Sequence, residues 1–558
     1  MHPRLSALTS FLRASNLRRG KSNIALQTSA THMLDNDQCA TDDAAFESFY
    51  EGVGRVGERV VLRNAGFNYL HGGRNECAVQ DLNLALEPGS TTLLCGASGC
   101  GKSTVLRMVT GLVPHFYAGE YYGYVKIGET DVATTPLVNA GRIIANVAQN
   151  PRRQFFTTDV DSELVFAPAN YGWGLERIQQ TVGTACELMG INSLRASLLS
   201  HLSGGQLQRV ACGVALGQDT PVVVLDEPTS NLDEAAISQL RRTLDLLRKL
   251  GKTVLIAEHR VHYLNGLIDT AVYLQDGRAK ATYTGEEFFA LSDKKRKQLG
   301  LRSLECVALQ RLPAAQFDQP QRSKKSFSRQ QPSNLATPAT KGGLLLKGLI
   351  VKISRRKNIT YPQMFFPAGA VTAVTGPNGV GKTTLANALC GFKKICKKRG
   401  DTEAVRVLVG VDGQCRSLHN SDCFLVMQDV GHQLFASRVD NEAPIGVLQS
   451  LGLADQAAAH PLSLSGGQQQ RLVIATALAQ DCKVLIFDEP TSGVDYRHLQ
   501  SVATKIRELT NEGRVVIILS HDAEFINACA DYRIDLAPSG SSRGKKKTCT
   551  GLEGNKHE

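Results

Sequence analysis

Short apolar runs of strand length recur along the chain and predict a buried parallel sheet. Val222 to Leu225 and Val515 to Leu519 are uninterrupted apolar segments, and Thr91 to Cys95 and Val371 to Thr375 each lead into a glycine-rich loop. Strands that are apolar along their whole length are typical of parallel sheets with both faces covered by helices. No segment approaches the roughly 18 apolar residues of a membrane-spanning helix, so we expect any membrane role to depend on a partner.

The same motifs occur twice in the same order, which indicates a tandem duplication. The glycine-rich loop is found at Gly96–Thr104 and again at Gly376–Thr384, and the pentapeptide Leu-Ser-Gly-Gly-Gln begins at Leu202 and again at Leu464. In each half a strand ending in Asp-Glu follows, then Pro-Thr-Ser, and then a histidine. Two domains of the same fold are therefore predicted.

The segments outside the repeat differ in composition from the two domains. We expect a first domain at 59–290 and a second at 343–537, joined by a basic linker at 291–342 that is rich in Pro, Ser and Gln. Residues 1–58 are predicted to form a basic, flexible N-terminal extension, and residues 538–558 a basic, disordered tail. The first 34 residues also resemble an organelle transit peptide, but a disordered extension explains their composition equally well.

The formal net charge of +11 lies mainly in these outer segments. Residues 293–341 hold 11 Lys and Arg against three acids, and residues 1–34 hold five basic residues and no acid. A basic groove for nucleic acid on the folded domains is therefore not expected, and the charged segments are expected to be solvated. The 14 cysteines include no C-x-x-C pair, so their spacing predicts neither a zinc site nor an iron–sulfur cluster.

The glycine-rich loops have the pattern of phosphate-binding loops, G-x-x-x-x-G-K-[S/T]. Between a strand and a helix, such a loop can surround phosphate oxygens with backbone N–H groups, and the helix dipole favours the anion. Lys102 and Lys382 are expected to reach the β- and γ-phosphates, and Ser103 and Thr383 to ligate Mg²⁺. The other loop residues expected to bind ATP are Gly96, Ser98, Gly99, Gly101, Thr104, Gly376, Asn378, Gly379, Gly381 and Thr384.

The paired acids at the ends of the later strands are placed for metal and water chemistry. Asp226 and Asp488 are expected to hold Mg²⁺ through water, and Glu227 and Glu489 to orient and polarise the attacking water. An Asp-Glu pair after a strand is often only a helix N-cap. The phosphate-binding loop at a matching distance upstream in both halves favours the catalytic interpretation.

Together with these motifs, the Leu-Ser-Gly-Gly-Gln pentapeptide resembles the signature of the ATP-binding cassette (ABC) ATPases. The resemblance covers about residues 59–290 and 343–537. It implies an α/β fold of two tandem P-loop NTPase domains, each with a RecA-like, mostly parallel sheet, an antiparallel β edge and a helical subdomain. It also implies that the two halves pair head to tail, so that each ATP with Mg²⁺ lies between the phosphate loop of one half and the signature of the other.

The resemblance assigns further residues to two composite ATP sites. The first site adds Gln149, Asp226, Glu227 and His259 to its phosphate loop, and the facing signature Ser465, Gly466, Gly467 and Gln468. The second site adds Gln428, Asp488, Glu489 and His521, and the facing signature Ser203, Gly204, Gly205 and Gln206. Gln149 and Gln428 are the implied additional Mg²⁺ ligands, and the two histidines are implied to contact the γ-phosphate.

Adenine binding is expected to differ between the halves. Tyr69 is placed to stack on adenine in the first half, whereas the matching stretch 349–356 holds no aromatic residue and Tyr361 is a possible substitute. A second asymmetry lies between the glutamine and the signature, where the second half is some 17 residues shorter. In ABC proteins that interval forms the helical subdomain that contacts the membrane partner, so the two halves are expected to dock on non-identical surfaces.

The segment from Gln149 to Phe166 resembles the one found in ATPases of energy-coupling factor (ECF) importers, and residues 428–442 keep a partial copy. The resemblance implies ATP-driven import of a vitamin, a vitamin precursor or a transition-metal ion. Its partners would be a transmembrane coupling subunit and a substrate-binding membrane subunit, at the cytoplasmic face of the membrane. The alternative interpretation of the segment is an ordinary amphipathic helix.

Two other functions stay open at this point: a soluble tandem ABC protein acting on the ribosome, and the tandem ATPase of another importer, such as one for sugars. The retained His259 and His521 and the Pro- and Ser-rich linker disfavour the ribosomal function. The intact motifs of the second half disfavour the sugar importer.

Overall fold

The computed structural model describes residues 55–71, 74–230, 232–315, 342–353, 358–396, 406–410, 414–428, 430–464, 466–491 and 493–537. Most of the predicted N-terminal extension, the second part of the predicted linker and the predicted tail lie outside the described residues, and so does Ser465. Within the described part, no helix is both long and apolar enough to cross a membrane.

The first half contains ten strands and nine α-helices among the described residues. The strands are β1 (Val60–His71), β2 (Arg74–Leu86), β3 (Thr91–Gly96), β4 (Gly119–Ile127), β5 (Thr130–Asp131), β6 (Ile144–Val147), β7 (Val222–Asp226), β8 (Thr253–Ala257), β9 (Thr270–Gln275) and β10 (Arg278–Thr284). The helices are α1 (Lys102–Val109), α2 (Leu112–His115), α3 (Leu137–Ala140), α4 (Val160–Asn170), α5 (Leu175–Leu188), α6 (Gly204–Gly217), α7 (Glu234–Lys249), α8 (Gly285–Phe289) and α9 (Asp293–Gln298).

The second half repeats this order with shorter elements. Its strands are β11 (Gly343–Leu346), β12 (Ile350–Lys352), β13 (Asn358–Thr360), β14 (Met364–Pro367), β15 (Ala370–Thr375), β16 (Ile395–Cys396), β17 (Arg406–Val409), β18 (Cys415–Ser417), β19 (Cys423–Val426), β20 (Val484–Asp488), β21 (Val515–Leu519) and β22 (Tyr532–Asp535). Its helices are α10 (Lys382–Leu389), α11 (Ile445–Ser450), α12 (Gly466–Ala479), α13 (Tyr496–Thr510) and α14 (Ala523–Cys529).

Each half is built on a parallel sheet with an antiparallel sheet beside it, which confirms the predicted α/β fold. The main sheet of the first half has the order β10-β9-β3-β8-β7-β6, parallel except for β10, and that of the second has the all-parallel order β19-β20-β21-β15-β22. The antiparallel sheets have the orders β2-β1-β4-β5, β14-β11-β17-β18 and β13-β12-β16.

The apolar strands are buried on both faces, as their composition predicts. In β3 the side chain of Leu93 packs into one hydrophobic cluster and that of Leu94 into another on the opposite face, and both are fully buried. Helices cover each face: Ile237 and Leu240 of α7 join the first cluster, and Val105 of α1 joins the second. The ends of these strands are thereby held in fixed positions, and the site residues follow them.

The interval between glutamine and signature differs between the halves in its helices. In the first half it contains α4 and α5, and Ile178 and Val182 of α5 are buried in the core. In the second half, its described residues include one α-helix, the six-residue α11. The length difference read from the sequence therefore removes most of a helical layer, and the two halves present different surfaces there.

Part of the predicted linker packs against both halves, so the expectation that it is solvated is wrong for residues 299–304, whereas most of residues 305–315 are exposed. Leu301 and Leu304 are buried in the hydrophobic cluster of the first half. Between them, the Arg302 guanidinium is 4% exposed and donates to Asp522 and Glu524 of the second half, each at 2.7 Å. This short segment therefore contacts the first half through its leucines and the second half through Arg302.

Candidate functional site

The phosphate loop of the first half connects β3 to α1. Gly96 has φ 146°, and a Cβ atom there would lie 2.2 Å from the carbonyl oxygen of Leu274, so only glycine fits. The Lys102 ammonium lies over the loop and donates to the carbonyls of Gly96 at 3.1 Å and Ala97 at 3.0 Å. Lys102 is nearly buried, so its charge is held at the loop where an anion would enter.

The phosphate loop of the second half connects β15 to α10 in the same way. Lys382 Nζ donates to the Gly376 carbonyl at 2.8 Å and lies 2.7 Å from His521 Nε2. The loop lines a cavity of about 170 Å³ together with residues from the ends of neighbouring strands. The residues around this cavity are Asn378, Gly379, Gly381, Lys382, Thr383, Thr384, Gln428, Asp488 and Glu489.

The predicted acid pairs lie beside the phosphate loops. Ser103 Oγ donates to Asp226 Oδ1 at 3.3 Å. Glu227 and Glu489 both have left-handed backbones, with φ 42° and 49°, which is uncommon for glutamate. Strained backbones of this kind concentrate at functional sites, where the surrounding structure holds them.

Each glutamate contacts the histidine that follows the next strand. In the first half, Gln149 Nε2 donates to Glu227 Oε2 at 2.6 Å, and His259 Nε2 lies 3.5 Å from Glu227 Oε1. In the second half, His521 Nε2 lies 3.7 Å from Glu489 Oε1. The structure therefore brings together glutamine, glutamate and histidine in the first half. In the second half it places His521 beside Glu489, and Gln428 lines the same cavity as Glu489.

Burial changes the acidity of these groups. It raises the pKa of Glu227 to about 8 and that of Glu489 to about 7. Burial, reinforced by Lys102, lowers the pKa of His259, and burial with Lys382 lowers that of His521 to about 4. Both imidazoles are therefore neutral at pH 7, and both carboxyls can exchange a proton near neutral pH.

Two aspartates that the sequence analysis missed connect the halves. The backbone N–H of Ser98 donates to Asp495 Oδ2 at 2.7 Å, and that of Asn378 donates to Asp233 Oδ2 at 2.9 Å. Burial opposes ionisation of Asp495, but hydrogen bonds from His498 and Ser98 hold its pKa well below its usual range. The sequence does show that these aspartates belong to the repeat, because each stands five residues after the proline of a Pro-Thr-Ser motif.

The predicted signatures begin helices α6 and α12. Ser203 and Gln206 form a capping box at the start of α6, with hydrogen bonds of 3.3 and 2.9 Å. A Cβ atom on Gly467 would lie 4.0 Å from Ser98 Cβ, so this signature reaches the phosphate loop of the other half. The adjoining signature residues at the start of α12 are Gly466 and Gln468.

The two tyrosines proposed for adenine have different positions. The Tyr69 hydroxyl accepts from Arg107 at 2.8 Å and lies 3.3 Å from Thr104 Oγ1, beside the first phosphate loop. Tyr361 is 2% exposed, and its hydroxyl donates to the Gly381 carbonyl at 2.7 Å. The suggestion that Tyr361 stacks on adenine is therefore wrong, because its ring is buried against the phosphate loop and a ligand cannot reach it.

In the first half, a buried carboxylate holds a phenylalanine in solvent. Glu163 is 3% exposed and accepts from the backbone N–H groups of Phe156 at 3.0 Å and Thr157 at 2.8 Å. The Phe156 ring points outward from this turn and is 78% exposed. It stacks on Phe166, with the ring centres 5.2 Å apart. Glu163 and Phe166 thus hold this ring in a fixed, exposed position.

The second half repeats this turn. Glu442 Oε1 accepts from the backbone N–H groups of Phe435 and Ala436, each at 2.7 Å, and Phe435 is 86% exposed. Upstream, Gln433 Oε1 accepts from Met427 N at 2.7 Å, as Gln154 Oε1 does from Ala148 N at 2.8 Å. Both exposed rings are thus tied to the strand ends that carry Gln149 and Gln428.

Known proteins are similar to this chain over both of its halves. The family model described as "ABC transporter" matches residues 79–230 and 362–492. A protein of Treponema denticola named as an ABC transporter ATP-binding protein is 34% identical over 482 residues, covering 84% of this chain and 93% of the relative. A protein of Bacillus subtilis named for HMP/thiamine import, the ATP-binding protein YkoD, is 28% identical over 488 residues, covering 83% and 87%.

Among solved structures, "RNase-L Inhibitor" is similar in fold. It has a TM-score of 0.51 and 20% sequence identity, and the match covers 85% of this chain and 87% of that one. At this identity the similarity concerns the fold of the two tandem domains.

Proposed function

The chain belongs to the ABC transporter family as an ATPase with two tandem ABC domains, and we propose that it energises an importer of the energy-coupling factor type. Members of this family bind ATP with Mg²⁺ and work with transmembrane partners. The cargo we propose is a vitamin, a vitamin precursor or a transition-metal ion. The name of the B. subtilis relative, which refers to HMP/thiamine import, supports this class of cargo.

We assign residues 59–290 and 343–537 as the two ATPase domains, and the phosphate loops as the groups that bind ATP. Lys102 and Lys382 neutralise the phosphates, and the loop N–H groups donate to their oxygens. Hydroxyl and carboxylate oxygens are the donors that Mg²⁺ prefers, and Ser103 and Asp226 already lie 3.3 Å apart. They would hold the ion with Gln149 in the first half, and Thr383, Asp488 and Gln428 would do so in the second.

Glu227 and Glu489 are the residues we assign to activate water. A general base is most effective when its pKa lies near the working pH, and burial raises these two pKa values to about 8 and 7. His259 and His521 are neutral and lie beside these carboxyls, so each can donate a hydrogen bond to the γ-phosphate. Tyr69 remains our proposal for adenine stacking in the first half.

Pairing of the halves within one chain completes both sites. Asp233 and Asp495 each fix the phosphate loop of the opposite half, and Gly467 lies against Ser98. We propose that Ser465–Gln468 and Ser203–Gln206 donate to ATP across this contact, so that ATP stabilises the closed pair and hydrolysis releases it.

The observation that carries the importer function is the pair of exposed phenylalanines, Phe156 and Phe435. Each lies on a turn fixed by a glutamate, which is buried in the first half and half-buried in the second, and joined to the strand end next to an active-site glutamine. An aromatic ring held in this way is suited to fill a pocket on a partner protein. We propose that the partner is a transmembrane coupling subunit at the cytoplasmic face of the membrane, which in turn holds the substrate-binding subunit.

Mass spectrometry of proteins that co-purify with the tagged chain from gently solubilised cells tests this proposal. Glu227→Gln is included to retain bound ATP. We expect a small multi-span membrane protein with the wild type and with Glu227→Gln, and its loss in the double variant Phe156→Ser with Phe435→Ser. Phe392→Ser, which removes another exposed ring at 63% exposure, is the matched control and should retain the partner. Recovery of ribosomal subunits without a membrane protein would contradict the proposal.

A further inference from the structure

A cluster of three metal-ligating side chains lies away from both ATP sites. The ligating atoms of Glu234, His262 and Cys306 all lie within 4.8 Å of one another. They supply a carboxylate oxygen, an imidazole nitrogen and a thiol sulfur, which are the three ligand types that Zn²⁺ takes in proteins. We propose that these residues bind a divalent transition-metal ion of the Zn²⁺ class.

The three ligands come from three separate segments. Glu234 is the first residue of α7, directly after Asp233. His262 begins the short 3₁₀ turn His262–Leu264 that follows the β8 strand end, and Cys306 is an exposed residue of the linker. Because the residues are distant in sequence, their spacing matches no metal-binding motif, and the sequence analysis predicted no site here.

The cluster can close around an ion with small side-chain movements. Bonds of about 2.0–2.3 Å in a tetrahedral site place ligand atoms roughly 3.3–3.8 Å apart, about 1 Å closer than the upper limit seen here. Glu234 and Cys306 are exposed, so their rotamers can adjust without repacking the core. A cavity of about 30 Å³ adjoins the three residues, which is room for roughly one water molecule as a fourth ligand.

The charges around the cluster allow a cation. Arg302 and Arg260 line the same cavity, but Arg302 is paired with Asp522 and Glu524 at 2.7 Å, and Arg260 lies 3.7 Å from Asp522. On metal binding the Cys306 thiol would release its proton to solvent, and the resulting thiolate together with the Glu234 carboxylate would supply the negative charge that a divalent ion requires.

An ion at this position would fasten the linker to the first half. Cys306 follows Arg302, whose guanidinium is anchored on the second half. Glu234 and His262 belong to the first half, so the ion would add a bond between the halves beside the Asp233 contact. This inference concerns the tandem chain itself and does not depend on the importer function.

Cobalt(II) titration of the full-length, reduced and chelator-treated chain tests the proposal. Thiolate ligation of Co²⁺ gives a charge-transfer band in the near ultraviolet, and a tetrahedral site gives intense d–d bands. We expect one equivalent of Co²⁺ to produce both signals and Zn²⁺ to displace it. Cys306→Ser should lose the charge-transfer band, and His262→Gln should weaken binding by about tenfold or more.

Cys415→Ser is the matched control, because Cys415 is another exposed cysteine outside the cluster. It should retain both signals, and circular dichroism should show that all three variants are folded. A charge-transfer band of equal intensity in the wild type and in Cys306→Ser would overturn the proposal, because other thiols would then hold the ion. Absence of the band from the wild type would also overturn it.

Discussion

Asp233 of the first half accepts a hydrogen bond from the backbone N–H of Asn378, in the phosphate loop of the second half, at 2.9 Å. Its other carboxylate oxygen caps helix α7 through Ala236 N, also at 2.9 Å. Asp495 does the same for α13 and Ser98. One carboxylate in each half therefore fixes both its own helix and the loop that binds phosphate in the opposite half.

Replacement of Asp233 by alanine tests this connection. The lost cap should lower the free energy of unfolding by about 1 kcal/mol. ATPase activity should fall far more than this loss of stability explains, because the second phosphate loop loses its contact with the first half. Steady-state ATPase assays and chemical denaturation measure the two effects separately.

Thr284→Ala is the control for that variant. Thr284 caps α8 through a capping box within the first half. This variant should lose similar stability and keep its ATPase activity. Equal activities for Asp233→Ala and Thr284→Ala would contradict the role assigned to the contact between the halves.

The pH dependence of stability should reveal the buried glutamates. Burial raises the pKa of Glu227 from 4.5 to about 8, so between these values the folded state holds a proton that the unfolded state has lost. Stability conferred by this proton therefore falls as pH rises through that range. Glu227→Gln removes the effect, and its unfolding free energy relative to the wild type should increase by about 3 kcal/mol between pH 5 and 8.

Denaturation of the nucleotide-free chain at several pH values measures this difference. Glu176→Gln, in which the residue replaced is exposed on α5, is the control and should show no such increase. If the free energies of unfolding of Glu227→Gln and the wild type differed by the same amount at every pH from 5 to 8, the Glu227 carboxyl would be ionised in the folded state over this whole range, which would contradict the prediction.

Replacement of Arg302 by methionine should destabilise the chain strongly. The guanidinium is buried, and its loss removes the cation that lies closer to Asp522 than Arg260 does, so we expect the free energy of unfolding to fall by about 3 kcal/mol. Burial alone would raise the pKa of Asp522, but Arg302 and Arg260 hold it below its usual range. The difference in free energy of unfolding between Arg302→Met and the wild type should therefore be present at pH 7 and become smaller as the pH falls towards the pKa of Asp522.

Thermal denaturation of Arg302→Met measures this effect. Lys297→Met is its matched control, because Lys297 pairs with Asp293 in solvent, at 2.7 Å. Solvent-exposed pairs contribute little. Similar melting temperatures for the two variants would contradict the anchoring role of Arg302.

The sequence predicted the fold and most of the candidate site, because both depend on local patterns. The buried strands were evident from their uninterrupted apolar residues, and the phosphate loops from glycines whose backbone only glycine adopts. Asp233 and Asp495 were missed although they recur in the repeat, because a residue's position in the sequence does not show that it contacts the opposite half.

The linker and Tyr361 are two further cases in which the sequence did not show a long-range contact. Residues 291–342 are basic and polar on average, yet Leu301 and Leu304 are buried and Arg302 forms an ion pair with acids far along the chain. Tyr361 stands near the expected place for an aromatic residue, but its hydroxyl is used by the Gly381 carbonyl and its ring is covered. Average composition and position along the chain do not report such long-range contacts.

We assign Glu227 and Glu489 to activate water in the two composite ATP sites. The most direct test is the ATPase activity of the double variant Glu227→Gln with Glu489→Gln, together with ATP binding and closure of the pair measured by cross-linking between the halves. We predict that turnover is lost while ATP still binds and closes the pair. Turnover comparable to that of the wild type would contradict the assignment of both glutamates.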